Sequence, residues 1–323
     1  MLQRLTGQLP SWTRDDHPVT RYELGKTRAV PRRAQLTRVI GLALLGGLLF
    51  VAGYAVATGF FQNPPGQNLT EGLMAVLYWP LLVIQVIMQV AALALTVNVV
   101  SEQKRRQAWD NLRATSGGVG LILRARWLAV YYRLRGLLAL VMIVRLLLIF
   151  GILYDLTAFQ GRYIDLLVNG ITPELSPLVA ALLLAFLMTA TLLIPLTSLG
   201  LSAALGLLFS VLIQQRTYST LTLIVGIVLR TALAAALVFV ATRFIQGQMP
   251  DVPDPAAWLL LGVFAAFGDW GLALLNLSFY STVWTLIPYG IFLGVALLGF
   301  SILQSAAAEW ILSLTIQAAE RNG

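Results

Sequence analysis

The chain has 323 residues, of which 58% are hydrophobic and only 11% are charged, and its formal net charge is +8. Soluble domains carry about 25% charged residues, and disordered chains combine low hydrophobicity with high charge, so both classes are excluded. The chain has no cysteine, which excludes disulfides and thiolate metal sites, and its one histidine, His17, cannot form a metal-binding histidine cluster. We therefore predict an all-α, multi-pass membrane protein that binds no metal or cofactor of its own.

Six apolar runs reach or exceed the ~20 residues that a helix needs to cross the hydrocarbon core. They are 39–61, 73–100, 136–154, 178–213, 221–242 and 284–312. The fourth run is predicted to be bent or broken at Pro195. A further stretch, 256–277, carries Asp269 near its middle, where a carboxylate costs about 3 kcal/mol on insertion. We predict that this stretch forms a re-entrant or interfacial helical pair on the outer face and not a span.

Lysine and arginine are concentrated in two segments, which predicts the orientation of the chain. Residues 1–38 hold eight of the 22 basic residues and residues 101–135 hold another eight, and short segments rich in these residues stay cytoplasmic. The connections 62–72 and 155–177 are neutral or acidic. We therefore predict six spans in the cell (cytoplasmic) membrane, with the N-terminus and the C-terminus both inside. The positive charge is assigned to this topology and not to nucleic-acid binding.

The chain carries no motif of a catalytic site. It has no His-Glu-x-x-His or Gly-x-Ser-x-Gly sequence, and no pair of carboxylates lies within a predicted span. The sequence Gly25-Lys26-Thr27 matches part of a phosphate-binding loop, but such a loop needs a glycine five residues earlier, where this chain has Thr20. We predict that the chain is not an enzyme and does not hydrolyse ATP by itself.

The connection after the second run has the pattern of a short amphipathic helix. Residues 101–115 contain no proline or glycine, and Arg105, Trp109 and Leu112 recur at i, i+4 and i+7, which places them on one helical face. A helix lying across the inner face of the membrane suits docking to a cytosolic partner. The alternative is a solvated loop whose arginines set the topology and hold anionic lipid head groups.

Residues 101–116 resemble the signature of ABC type-2 export permeases, in which a pattern Glu-Arg-x-x-x-Gly-Thr/Trp-Glu/Asp-x-Leu-x-x-Thr-Pro follows the second transmembrane helix. Ala108 stands in place of the glycine of that pattern, and Ser116 stands in place of its proline. The leader sequence 17–24 resembles an Asn-Pro-Val-x-Arg-x-Glu-Leu motif of many of these permeases, with His17 in place of the asparagine. The residues that match the signature are Glu102, Arg105, Arg106, Trp109, Asp110, Leu112 and Thr115.

The resemblance implies the permease subunit of an ATP-driven ABC exporter. Such permeases work as dimers of the same or of homologous chains and bind two separate ATP-binding subunits, which alone hold ATP and Mg²⁺. The matched residues of 101–116 would form a coupling helix docked to the ATPase, and the pathway between two permease subunits would be lined by the second and fifth spans. The implied organisation is a leader, 1–38, with an interfacial helix, a six-span domain, 39–312, and a cytoplasmic tail, 313–323.

A second function class stays open, which is a non-transporting membrane anchor or accessory subunit of a larger membrane complex. Ala108 and Ser116 keep this alternative open, because they depart from the family pattern within the docking signature. In either class the expected partners are other membrane-complex subunits and membrane lipids.

Polar residues inside the predicted spans are candidates for the pathway or for structural contacts. Gln85, Gln89 and Thr96 share one face of the second helix, and they form either a polar stripe along the pathway or interhelical hydrogen bonds. Arg145 and Arg230 lie inside the third and fifth spans, where an arginine is costly unless it is paired or reaches the lipid phosphates. We expect these arginines to contact lipid phosphates or to make structural hydrogen bonds; the alternative is a role in substrate binding or gating.

Small residues at regular spacing predict close packing between helices or between subunits. We assign them no chemistry. The positions are Gly46, Gly47 and Gly53 in the first span, Ser198, Ser202, Gly206 and Ser210 in the fourth, and Gly290 and Gly294 in the sixth.

Overall fold

The computed structural model describes residues 32–55, 69–99, 118–158, 174–213, 215–249, 251–276, 283 and 287–321. All regular structure in these ranges is helical, and they contain no strand. The α-helices are α1 (Arg32–Ala55), α2 (Leu69–Thr96), α3 (Gly118–Ala158), α4 (Pro177–Leu212), α5 (Arg216–Ile245), α6 (Asp254–Val263) and α7 (Leu293–Arg321). A π-helical turn, Phe264–Gly268, follows α6, and 3₁₀ turns occupy Ala273–Leu275 and Gly290–Phe292.

Five of the described helices are long and apolar enough to cross a membrane. The described part of the chain is therefore that of a multi-pass helical membrane protein, as the composition predicts. These helices overlap the predicted second to sixth spans, whereas α1 and α6 carry only shorter apolar stretches, so the count of six spans stays a prediction. The five segments are Glu71–Thr96, Gly118–Tyr154, Pro177–Leu212, Thr217–Ile245 and Gly290–Arg321.

Helix α3 is much longer than the span predicted for it, which is 136–154. It begins at Gly118 and has 41 residues, or about 60 Å of helix. Its first turns pack Val119, Leu123 and Trp127 against the last turns of α4 and α7. This stretch has no proline and is rich in leucine, alanine and arginine, which favour helix. Hydropathy marks only the part of the helix that is apolar on all sides, so the prediction is too short.

Two prolines lie inside helices that remain continuous, Pro80 in α2 and Pro195 in α4. The break predicted as one possibility at Pro195 is therefore absent. Proline has no N–H, so the carbonyl four residues earlier loses its helical donor, and these carbonyls belong to Val76 and Thr191. Gly53 of α1 packs directly on the Val76 carbonyl oxygen, which a Cβ atom at this position would overlap.

The most extensive helix contact in the bundle is between α4 and α7, and α2 and α3 pack against α4 and against each other. A Cβ atom at Gly294 of α7 would lie 2.8 Å from the Leu183 carbonyl oxygen and 2.8 Å from the Leu187 nitrogen. The two backbones can approach this closely only at a glycine, so the packing role predicted for Gly294 is confirmed. Further along, Thr197 donates a hydrogen bond to Oε1 of Gln304 at 2.7 Å.

Helix α5 lies at the edge of the bundle. Only 6% of the most apolar 18-residue stretch of α5 is buried inside the chain, whereas 44% of the corresponding stretch of α4 is buried. Its main contact is with the π-helical turn that follows α6. Most of its surface is therefore left for lipid or for another chain.

Residues 254–276 do not form one continuous span. The π-helical turn ends at Gly268, and Trp270 and Gly271 then adopt left-handed backbone conformations, with φ of 56° and 75°. A single 3₁₀ turn follows. This break agrees with the prediction that 256–277 is not a transmembrane helix.

Gly294→Ala is expected to destabilise the protein, because its methyl group pushes apart the backbones of α4 and α7, and overpacking of this kind costs about 1–3 kcal/mol. Gly299→Ala is the matched control in the same helix, since a Cβ atom at Gly299 has no neighbour within 4 Å. Thermal unfolding in neutral detergent should give a lower melting temperature for Gly294→Ala and an unchanged or higher one for Gly299→Ala. Equal melting temperatures would contradict this packing.

Candidate functional site

The candidate site is a buried polar cluster between helices α2, α3 and α5 and the turn 269–272. It is distinct from the predicted ATPase-docking segment 101–116 and from the leader motif 17–24, which both lie outside the described residues. The docking residues that therefore stay untested are Glu102, Arg105, Arg106, Trp109, Asp110, Leu112 and Thr115. The polar cluster consists of Gln85, Gln89, Arg145, Arg230, Asp269 and Trp270.

Two glutamines on one face of α2 each bind an arginine of another helix. Gln85 and Gln89 are buried and lie about one helical turn apart. Oε1 of Gln85 accepts hydrogen bonds from Nε of Arg145, at 3.0 Å, and from its Nη2. Oε1 of Gln89 accepts a hydrogen bond from Nε of Arg230, at 2.6 Å. The structure thus contains the interhelical hydrogen bonds that the sequence offers as one alternative, and a pathway-lining role stays a prediction.

Thr96 is on the same helix but does not join the polar cluster. It is buried, and its Oγ1 donates a hydrogen bond to the Ala92 carbonyl of its own helix at 2.9 Å. It packs on Gly206 of α4, where a Cβ atom would overlap the threonine hydroxyl. The predicted close approach at Gly206 is confirmed, while the pathway role of Thr96 stays untested.

Arg145 is completely buried in the bundle. Besides bonding to Gln85, its Nη1 donates to the carbonyl oxygen of Thr191 in α4 and, at 3.4 Å, to that of Trp270. The Thr191 carbonyl is free to accept because Pro195 has no N–H. Arg145 thereby links α3 to α2, to α4 and to the turn 269–272. These are structural hydrogen bonds, and the side chain does not extend towards lipid phosphates.

Asp269 is a member of the cluster that the sequence analysis used only as an obstacle to a span. Its Oδ1 accepts a hydrogen bond from the Gly271 N–H at 2.8 Å, and its Oδ2 accepts one from the Ala273 N–H at 2.7 Å. Glycine is required at 271, because φ is 75° and a Cβ atom would lie 2.8 Å from the Thr191 methyl group. The buried carboxyl also interacts electrostatically with Arg145. An acid and an arginine inside apolar segments usually lie near each other, which is the signal that could have predicted this electrostatic interaction.

Arg230 reaches the polar cluster from α5. Its guanidinium carbon lies 5.8 Å from the ring centroids of both Phe267 and Trp270, within the range of a cation–π contact. The side chain is partly exposed. Apart from the bond between its Nε and Gln89, no described residue accepts a hydrogen bond from this guanidinium.

Two buried donors of the cluster have no partner within the described structure, and these are Nε2 of Gln85 and Nε1 of Trp270. A buried donor without an acceptor costs about 1–3 kcal/mol. In the described ranges no group of three or more histidine or acidic side chains could hold a metal ion. The groups of the cluster that lack a partner among the described residues are therefore hydrogen-bond donors.

Arg145→Gln is expected to lower the free energy of unfolding by about 3 kcal/mol, because it leaves buried acceptors unpaired. Pro195→Ala supplies an N–H that can satisfy the Thr191 carbonyl, so the cost of Arg145→Gln should be about 1 kcal/mol smaller in that background. The four proteins of this double-mutant cycle can be compared by thermal or denaturant unfolding in neutral detergent.

The control for this cycle is Arg124→Gln. Arg124 forms an exposed ion pair with Glu309 at 3.0 Å, and exposed pairs contribute about 0–1 kcal/mol. The same cost of Arg145→Gln with and without Pro195 would show that the proline-freed carbonyl is not a partner of Arg145.

Comparison with protein-family models, with curated proteins and with solved structures finds no match to this chain. Its function therefore has to be inferred from the polar cluster, from the arrangement of the helices and from the two sequence motifs.

Proposed function

We propose that the chain is the permease subunit of an ATP-driven exporter of the ABC type-2 class. It would pair with a second permease chain, the same or homologous, and bind separate ATP-binding subunits through residues 101–116. The motifs in the leader and in this segment support the proposal. The structural observation that carries it is that α3 is a single helix from Gly118, next to the docking segment, to Arg145 in the polar cluster.

A continuous α3 provides a mechanical link between the docking segment and the polar cluster. The link is about 40 Å long at 1.5 Å per residue. It is bonded to α4 along its course, since Nε1 of Trp127 donates to the Gly200 carbonyl at 2.8 Å and the hydroxyl of Tyr131 donates to the Leu196 carbonyl at 3.0 Å. A displacement of the docking segment would therefore move α3 and α4 together and reach the polar cluster.

A transport pathway would need a second subunit or a separation of helices. The predicted lining residues Gln85, Gln89 and Thr96 are all buried within this chain. In the proposed dimer, α1 or α5 of each chain contacts the other chain, and the pathway forms between them. The exposed surface of α5 is available for such a contact.

We also propose that residues 254–276 are re-entrant from the outer side. The helix α6 begins at exposed residues, Asp254 and Pro255, and the chain then runs inwards to Trp270. The carbonyl of Trp270 contacts Arg145, and Gly271 contacts Thr191 near the middle of α4. Further along the chain, Gly294 lies beside Leu183 and Leu187, which are nearer the first residue of α4 than Thr191 is. This placement supports a return to the same side.

The second candidate function is a non-transporting anchor or accessory subunit. The observation that favours it is the pair of departures within the docking signature, Ala108 and Ser116. This function would retain the helical bundle and its polar cluster but would not couple them to an ATPase.

Replacing Glu102 and Trp109 together by alanine is expected to abolish binding of the ATP-binding subunit and ATP-driven transport, because both lie in the proposed docking helix. The matched control replaces Trp310 and Glu320 of α7, which are exposed residues of the same types.

Co-purification from native membranes and native mass spectrometry should find two permease chains with two ATP-binding chains. A monomer that recruits no ATP-binding chain where one is present would favour the accessory function.

The absence of cysteine makes the topology directly testable. Gln248→Cys, in the exposed turn after α5, should react with a membrane-impermeant maleimide added to intact cells. Asn322→Cys should react only after the membrane is made permeable, because the C-terminus is proposed to be inside. Labelling of Asn322→Cys in intact cells would refute the six-span topology.

A further inference from the structure

The charge of the polar cluster is not balanced by the described residues. Arg145 and Arg230 contribute two positive charges, and Asp269 is the acidic side chain of the cluster. It interacts electrostatically with Arg145 and with Tyr78, and both of its oxygens are already bonded to backbone amides. Among the residues that the structure describes, no acidic side chain forms an ion pair with Arg230. Since a charge inside a membrane-spanning segment is costly unless it is paired, Arg230 is left in need of an anion.

Arg230 cannot obtain that anion by reaching the lipid phosphates at the membrane surface. It lies in the middle of α5, about 21 Å of helix from the first residue and about 22 Å from the last. The hydrocarbon half-thickness is about 15 Å. The side chain is also held towards α2 and cannot extend along its own helix, because its Nε donates a hydrogen bond to Gln89 at 2.6 Å. An acceptor therefore has to come to Arg230 at mid-depth.

The guanidinium of Arg230 has free hydrogen-bond donors that can bind such an acceptor. Arginine has five N–H donors in a planar fork, and Gln89 takes only the one on Nε. The rings of Phe267 and Trp270 flank the cation at 5.8 Å, so the Nη donors stay free while the apolar rings exclude water. The partial exposure of Arg230 on a helix at the edge of the bundle leaves these donors open to the outside of the chain.

We propose that Arg230 and Gln89 form a binding site for the anionic head group, a phosphate or a carboxylate, of an amphiphile whose acyl chain lies along α5. A phosphate or carboxylate can accept two parallel hydrogen bonds from the free fork. Leu229 and Leu233, which are 68% and 43% exposed, provide an apolar surface next to it. An amphiphile is held in the bilayer by its acyl chain and is therefore concentrated near α5, whereas a free ion has to partition from water. Either occupant has to bring its charge to mid-depth, where Arg230 compensates it. The binding of an anionic amphiphile at this site does not depend on transport. The further statement that the amphiphile is the transported cargo rests on the proposed function.

The test uses the full chain purified in dodecyl maltoside, without any ATP-binding subunit. Wild-type protein is titrated with dodecyl phosphate, laurate, dodecanol and inorganic phosphate, and binding is followed by melting temperature and by native mass spectrometry. Dodecyl phosphate and laurate should form a one-to-one adduct and bind at least about tenfold more tightly than dodecanol, because only they carry a charged acceptor. Inorganic phosphate should bind weakly.

Arg230→Gln should weaken binding of dodecyl phosphate by about tenfold or more. Arg230→Lys should be intermediate, because it keeps the charge but loses the fork. The matched control is Arg243→Gln, which removes an exposed arginine of the same helix that lies 4.4 Å from the Phe239 ring centroid. This variant should bind like the wild type.

Equal affinity of wild type and Arg230→Gln, or equal affinity for dodecanol and dodecyl phosphate, would overturn the proposal. Inorganic phosphate binding as tightly as dodecyl phosphate would overturn the amphiphile and identify a free anion as the occupant. If Arg230→Gln does not fold, the wild-type titrations and Arg230→Lys still decide between these outcomes. Because the ATP-binding subunit is absent, a failure of ATPase docking does not affect this result.

Discussion

The arrangement of the helices depends on keeping one arginine, Arg145, inside an apolar bundle. A charge at this depth is costly unless acceptors surround it. The acceptors are the Gln85 amide oxygen and the carbonyls of Thr191 and Trp270. They come from α2, from α4 and from the turn after the π-helix, so these three elements have to be in place together before the guanidinium is satisfied. We infer that the interaction specifies which helices are neighbours more than it adds net stability.

The two internal prolines, like Arg145, create polar groups that neighbouring helices have to satisfy. In a membrane no water is present to satisfy a carbonyl that has lost its helical donor, so a neighbouring segment has to do so. At Pro195 the freed Thr191 carbonyl accepts from Arg145. At Pro80 the freed Val76 carbonyl is covered by α1, which can come close enough because residue 53 is glycine. A local defect in each helix thereby becomes a contact between helices.

Arg145 and Arg230 have the same chemistry in different surroundings, and this separates their roles. Arg145 is wholly buried and surrounded by acceptors, and it lies on the long helix α3. Arg230 is partly exposed, has one acceptor among the described residues and lies on the least buried of the five helices that are long and apolar enough to cross a membrane. The first is suited to transmit a movement that begins at the N-terminal end of α3. The second is suited to bind a group that arrives from the bilayer. In the proposed exporter the Gln85 and Gln89 face of α2 would join the two.

The sequence by itself determined that the chain is a helical membrane protein and that two glutamines share a face while two arginines need partners. It also located the apolar parts of five helices, although α3 extends well before its predicted run. These follow from hydropathy and helical periodicity, which are local properties of one segment. Only the tertiary structure decided that Gln85 pairs with Arg145 and Gln89 with Arg230, because the partners are 60 and 141 residues apart and no local pattern encodes which helices meet. The place of Asp269 was likewise decided by packing, because the turn that holds it lies against Arg145 and against Thr191 of α4. Which helices are neighbours decides which side chain can pair with each arginine. Because an unpaired charge inside the bundle is costly, packings that leave an arginine without a partner are disfavoured.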